Sequence, residues 1–249
     1  MINNKLRRNA VAAGLVLALV IAVPAQAWEE AQPNPQVLTE SFLAYHPDVK
    51  HRLLGIEALE KSDFDEALKQ FQRASKFADK VSQAMVSEIY ELGLGVTTDR
   101  SLAYVWMDLA AERGYTTFVV KREKLWDSLS QAEQQQAIAS GEAIYKEYGD
   151  AVAKPRIERK LNHGRRGITG SRTGFVGTLT VMVPGPTGAW ITLDGSQYYA
   201  DKYWRPKDYF EWQDRVWDKP PAGTVSVGDI AASPEPDNGA ATSESPSKQ

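Results

Sequence analysis

The stretch A-M-V-S-E-I-Y-E-L-G-L-G-V-T-T-D-R-S-L-A-Y-V-W-M-D-L-A-A-E-R-G, residues 84 to 114, constrains the fold of this 249-residue chain more than any other feature. Its glycine, aspartate and alanine spacing describes one helical hairpin. Ala84, Ile89 and Tyr90 fall on a first short helix, and Gly93 and Gly95 end it where a left-handed backbone costs a residue without a side chain little. A tight turn follows, and Asp99 is placed to cap the next helix by accepting from the N–H of Ser101 or Leu102. Leu102, Val105, Trp106 and Leu109 then recur at helical spacing, while Ala103, Ala110 and Ala111 leave room for a neighbouring backbone and Gly114 closes the unit.

The segments G93-L-G95-V96-T-T-D99, A103-Y-V-W106 and A110-A111-E-R-G114 together resemble one full Sel-1-like repeat. Such repeats are similar to tetratricopeptide repeats. The resemblance implies helix pairs stacked into a curved solenoid whose concave face holds a protein or peptide, a use that spacing alone does not supply. A related unit precedes it: Gly55, Ala58, Asp63, Phe64, Ala67, Leu68, Phe71 and Ala74 follow the tetratricopeptide-like pattern, offset by 36 residues from the second copy. Its turn departs, with Lys61-Ser62-Asp63 in place of the glycine loop, and Ser62 or Asp63 is the expected helix cap. Beyond Gly114 the glycine signature disappears. Phe118, Leu125, Trp126 and Leu129 predict one further helix, and Ser130 with Glu133 a capping box for a second that ends at Tyr148, so 115 to 149 reads as a degenerate capping unit. Residues 36 to 46, with Val37, Leu38, Phe42 and Tyr45, are the expected opposite cap.

The amino terminus sets the expected compartment. Lys5, Arg7 and Arg8 precede an apolar run from Ala10 to Val23, and Ala25-Gln26-Ala27 offers small residues at the two positions a signal peptidase reads. Cleavage before Trp28 is favoured over a membrane anchor, because a spanning helix needs roughly 20 apolar residues. Residues 1–27 are thus read as a signal peptide, 28–47 as a linker with a leading helix, and the protein as exported: periplasmic, with secretion the alternative. The chain has no cysteine, which excludes disulfides, thiolate ligands, a thiol nucleophile and a lipid-modified amino-terminal cysteine. Some exported Sel-1-like proteins staple each hairpin with a disulfide and are therefore a poor model for this one.

Without the signal peptide 26 basic residues stand against 32 acidic ones, a net charge of minus 6. Residues 154 to 172 run against that balance, with Lys154, Arg156, Arg159, Lys160, Arg165, Arg166 and Arg172 facing only Glu158 among Gly164, Gly167 and Gly170. This segment, within 150–174, reads as a basic glycine-rich bridge. Arg165, Arg166 and Arg172 suit an anion site for a phosphate-bearing head group, an anionic glycan or an acidic protein. The plainer reading, which charge runs favour, is that these arginines pair with the acidic helices. An acidic exported body also argues against nucleic acid as a partner.

From Gly174 the hydrophobic period changes from helical to alternating. Phe175, Leu179, Val181 and Val183 alternate with Thr178 and Thr180, P184-G-P-T-G188 marks a turn, and Trp190-Ile-Thr-Leu193 follows, which predicts a β-hairpin. Pro206 opens a helix covering roughly 207–217, and Thr224 to Val227 is a candidate last strand. Residues 175–230 thus form a small α+β module, too small to be stable alone and expected to dock on the cap of the array. Its rings are dense: Trp190, Tyr198, Tyr199, Tyr203, Trp204, Tyr209, Phe210, Trp212 and Trp217. Tyr209, Trp212 and Val216 are spaced for one buried helix face. The favoured reading of the cluster is structural, since large rings build a small core efficiently; as a binding surface for glycan such as peptidoglycan, Tyr198, Tyr199 and Trp204 are the best placed for exposure because they sit outside the clear helix.

No catalytic constellation stands out. His46, His51 and His163 include no pair at zinc-motif spacing, and no Gly-x-Ser-x-Gly elbow, phosphate loop or dinucleotide fingerprint is present, so no metal, cofactor or enzymatic activity is expected. The tail 231–249 lacks large apolar residues and reads as disordered. The expected fold is mostly α, a short α-solenoid of helix-turn-helix repeats over 48–149 followed by the small α+β module. The expected role is a non-catalytic cell-envelope adaptor holding a protein or peptide on its repeat groove, with Tyr90, Tyr104 and Asp108 as candidate contacts that are equally placed to be packing residues. A peptidoglycan- or glycan-binding module is the alternative, and no integral membrane segment is expected after signal cleavage.

Overall fold

The computed structural model of the chain describes residues 32–166, 179–184 and 189–217. Helices dominate it: α1 (Glu40–Tyr45), α2 (Pro47–Glu60), α3 (Phe64–Ser75), α4 (Lys80–Leu92), α5 (Arg100–Ala110), a single 3-10 turn (Ala111–Arg113), α6 (Thr116–Ser128), α7 (Gln131–Tyr148) and α8 (Asp150–Arg166). After them come β1 (Thr180–Pro184), β2 (Trp190–Asp194), α9 (Gly195–Tyr198), α10 (Asp201–Trp204) and α11 (Pro206–Trp217). The expected mostly helical architecture with a small sheet is what the chain adopts. The signal peptide, Arg172, the turn residues beyond Pro184, the strand at 224–227 and the tail lie outside the described residues.

Local chemistry explains the hairpins. Three helix starts of the hairpins supply an aspartate acceptor for orphaned backbone N–H groups: Asp63 accepts from Glu66 N at 3.2 Å, Asp79 from Ser82 N at 2.8 Å and Asp99 from Leu102 N at 2.8 Å. Ser130 and Glu133 form a reciprocal capping box. At the α4–α5 turn Gly93 and Gly95 both have φ +69°. A Cβ on Gly95 would lie 2.7 Å from Phe64 Cβ, so this glycine both makes the turn and lets it touch the preceding hairpin. The first unit has no glycine there, and Ser62 takes the left-handed conformation instead, at φ 58°.

Equivalent positions play equivalent parts. Ala67 and Ala103, and Ala74 and Ala110, are all fully buried, where α2 packs on α3 and α4 on α5. Helices α3 and α4 join the two hairpins, and α5 carries both α6 and α7 on its far side. The middle helix is enclosed: every residue of α4 from Lys80 to Ile89 is buried. The outermost helix α7 buries Ala137 and leaves much of its surface exposed, as the end of a stack does.

Past Tyr148 the chain departs from expectation. The first part of the supposed glycine-rich bridge is the helix α8, because Ala153, Ile157, Leu161 and Gly164 form a stripe that buries one side of an otherwise charged segment. It runs back along the array. Its start meets Arg113 of the 3-10 turn, Arg156 donates to the Lys76 carbonyl after α3 at 3.3 Å, and its end packs against α1 and α10. The region that follows therefore docks on the amino-terminal end and along the edge of the hairpins, not on the carboxyl-terminal cap. The strands pair antiparallel with Met182 opposite Thr192 and Val183 opposite Ile191. Val183 is buried, whereas Met182 and Trp190 stand out at 61% and 65% exposure.

Candidate functional site

The three candidate peptide contacts are all half-buried and do not form one exposed row. Tyr104 and Asp108 lie together on α5, under α6 and α7. The Tyr104 ring is 4.7 Å from Trp126, and Asp108 accepts from Tyr145 Oη at 2.9 Å and pairs with Arg122 at 3.4 Å. Tyr90 sits apart on the last turn of α4, bonded to the Gln72 side chain. Because α4 is buried up to Ile89, its accessible part is the final turn, Tyr90 to Leu92. Beside that turn Lys121 of α6 bonds Glu88 and pairs with Glu91 at 3.4 Å. Burial pushes the Glu88 carboxyl up to about 7, against the pull of Lys121. Leu92 and Val120, each next in sequence to a member of this bridge, are 56% and 47% exposed.

A second polar cluster fastens the returning chain to the hairpin edge. Lys80, at the start of α4, donates to Leu109 O at 2.9 Å and Glu112 at 2.7 Å, and pairs with Asp150 at 3.0 Å. Arg113 makes a two-pronged contact with Asp150, at 2.7 and 3.1 Å, and donates to Ala78 O at 3.0 Å. Burial acts to raise the Asp150 carboxyl, but the bonds and charge of Arg113, with Lys80 and Lys154 behind it, hold it well below the usual range. From α11, Tyr115 is met by Asp214, which accepts the phenol's hydrogen bond, and the Phe210 ring is covered by Arg113 at 5.2 Å and Lys154 at 5.0 Å.

Deeper at the same edge, Asp48 accepts from Tyr209 Oη of α11 and Arg52 donates to Asp79, with all four side chains buried. Burial, reinforced by the neighbouring Asp79 charge, raises the Asp48 carboxyl to about 6, while Tyr209 and Arg52 oppose the shift. Next to it the His46 ring stacks on Phe42 at 3.7 Å, and its two nitrogens face the carbonyls of Phe42, at 2.8 Å, and Tyr203, at 2.7 Å. Desolvation lowers its pKa to about 4 even though both carbonyls favour the charged ring. Neither the Asp48 nor the Glu88 bridge was visible in sequence, since each joins residues far apart on helix faces where acids are ordinary.

The rings expected to be exposed belong to the core. Tyr198 and Trp204 are 3% and 2% exposed, because both close around Phe42 with Tyr203, at 5.6 to 6.0 Å between ring centroids. Trp204 also donates its indole N–H to Tyr198 O at 2.6 Å. Tyr199 is half-buried, 5.5 Å from Trp204. Two of the three thus present no open face for a sugar, which corrects the exposure expected of them and agrees with the structural reading of the cluster; among the described residues of this region the exposed ring is Trp190. Of the basic residues, Lys154 pairs with Asp150 at 3.1 Å and Arg156 with backbone carbonyls. Arg165 and Arg166 are exposed at the end of α8 and make no ion pair with any described residue, so the pairing with acidic helices favoured above does not take them up.

Among the described residues no group of three or more His, Asp or Glu side chains is placed to hold a metal ion, and no helix is long and apolar enough to cross a membrane. The fold and its polar edges define a helical-hairpin array strapped along one edge by its own returning chain. No family model, curated protein or solved structure matches the chain, so the likeness to a Sel-1-like repeat rests on its own residues.

Proposed function

We propose that this protein is a non-catalytic scaffold of the cell envelope, exported by its amino-terminal segment, that holds a protein or peptide on its helical array. The observation that carries this reading is the surface where α4 ends against α6. There two exposed apolar side chains, Leu92 and Val120, flank the Glu88–Lys121–Glu91 bridge, with Tyr90 on the same turn. Exposed apolar side chains grouped with charged ones mark a surface that a protein partner can cover. The strongly shifted acids support a scaffold rather than a catalyst, because Glu88, Asp48 and Asp150 are each engaged in bridging one helix to another.

Photo-crosslinking in living cells tests the reading. A photoreactive residue at Leu92 or Val120 is expected to capture one defined protein, and the same residue at Arg73, exposed on α3, is not. Capture of nothing at the first two positions, or of the same mixture at all three, counts against the patch.

A further inference from the structure

We propose that the carboxyl-terminal end of α8 and the exposed face of the β1–β2 hairpin form one surface that binds an anionic lipid headgroup layer. The inference does not rest on the scaffold reading above.

The buried stripe of α8 turns Arg159, Lys160, Arg165 and Arg166 to the outside, and all four are exposed. None of them makes an ion pair or hydrogen bond with a described residue, in contrast to Lys154 and Arg156 one or two turns earlier. Glu158 is the acidic residue among them, and it is half-buried. Basic side chains at a helix end complement its dipole, but that effect is confined to the last turn, whereas Arg159 and Lys160 lie further back. Three of the four are arginines, whose planar fork matches phosphate oxygens two at a time.

The partner is indicated by what adjoins them. A Cβ on Gly164 would lie 2.2 Å from Trp204 Cζ3, so the end of α8 rests directly on the indole. Trp204 in turn is bonded to Tyr198, at the end of the short helix that leads straight out of β2, and Gly195 donates to Leu179 O at 2.7 Å just before β1. The hairpin and the cationic helix end thus share one support. On the hairpin's outer face Trp190 and Met182 are 65% and 61% exposed, while Val183 on the other face is buried. Cations on the outside of a helix, with an exposed indole and thioether on a hairpin braced through the same Trp204, suit a broad phosphate-bearing layer into which the ring can dip, better than they suit an acidic peptide.

Vesicle co-sedimentation of residues 28–249, which retain every described residue, provides the test. Vesicles of phosphatidylcholine with one third phosphatidylglycerol are expected to take the protein down, and phosphatidylcholine alone is not. Replacing basic residues by glutamine at 159, 160, 165 and 166 is expected to weaken binding by roughly fivefold per residue, and added salt to do the same. Trp190→Ala, at an exposed position that carries no packing load, is expected to weaken it several-fold with the salt dependence retained. Circular dichroism of both variants should match the parent. Equal binding to neutral vesicles, an unaltered affinity in the basic-to-glutamine variant, or binding of soluble polyglutamate without binding of anionic vesicles would each overturn the proposal.

Discussion

At Gly55 the packing of the first hairpin depends on a missing methyl group. A Cβ there would lie 2.6 Å from Phe71 Cε1, on a ring that is itself fully buried and has nowhere to turn. Gly55→Ala is therefore expected to destabilise the protein by about 1–3 kcal/mol through overpacking. Gly141→Ala, whose Cβ would sit 4.0 Å from Val105, should be neutral or stabilising by up to about 1 kcal/mol, because alanine is the better helix former. Urea unfolding at constant slope distinguishes the two, and equal midpoints for both variants would contradict the packing account. Sequence marked Gly55 as a repeat position, yet the ring that makes it necessary is a contact between helices. The same holds for Tyr209. Its spacing with Trp212 and Val216 announced a buried face, but its partner Asp48 lies 161 residues away.

Individual helices were the most legible level. Caps and turn glycines act within three or four residues, so Asp63, Asp99 and the Ser130–Glu133 box are written where they are used. Asp99→Ala removes the acceptor for Leu102 N and is expected to cost about 1 kcal/mol, read as a lowered midpoint in thermal unfolding; a loss of less than a few tenths would mean that the turn glycines alone fix the start of α5. Helix α8 shows the limit of this level. Its seventeen residues are rich in charge and include Pro155, and only the four-residue stripe facing the array identifies it as a helix. The short helices α9 and α10 carry almost no signal of their own, and packing of their rings around Phe42 holds them.

The whole molecule is closed by buried charge, and this gives it a definite response to pH. Glu88, raised from 4.5 to about 7, and Asp48, raised from 3.8 to about 6, bind a proton more tightly folded than unfolded, so each stabilises most below its unfolded value and loses that contribution as pH rises through its folded value. His46, lowered from 6.5 to about 4, works the other way between those values, and Asp150, held below its usual 3.8, loses its contribution in strong acid. Stability is expected to rise as pH falls from about 8 towards 5 and to decline in stronger acid. Glu88→Gln should flatten the curve between about 7 and 4.5, and a variant that keeps the parent slope in urea unfolding would refute this assignment. The sequence by itself determined the hairpins, their caps, the alternation of the β-hairpin and the face of α11, because each depends on periodicity and on hydrogen bonds between near neighbours. Only the tertiary structure decided that α8 turns back, that Tyr198 and Trp204 are core rather than surface, and that α11 straps the edge through Asp48, Arg113 and Tyr115. Those outcomes are fixed by burial of rings and charges against residues a hundred or more positions away, and no local pattern records which of two apolar faces the chain will cover.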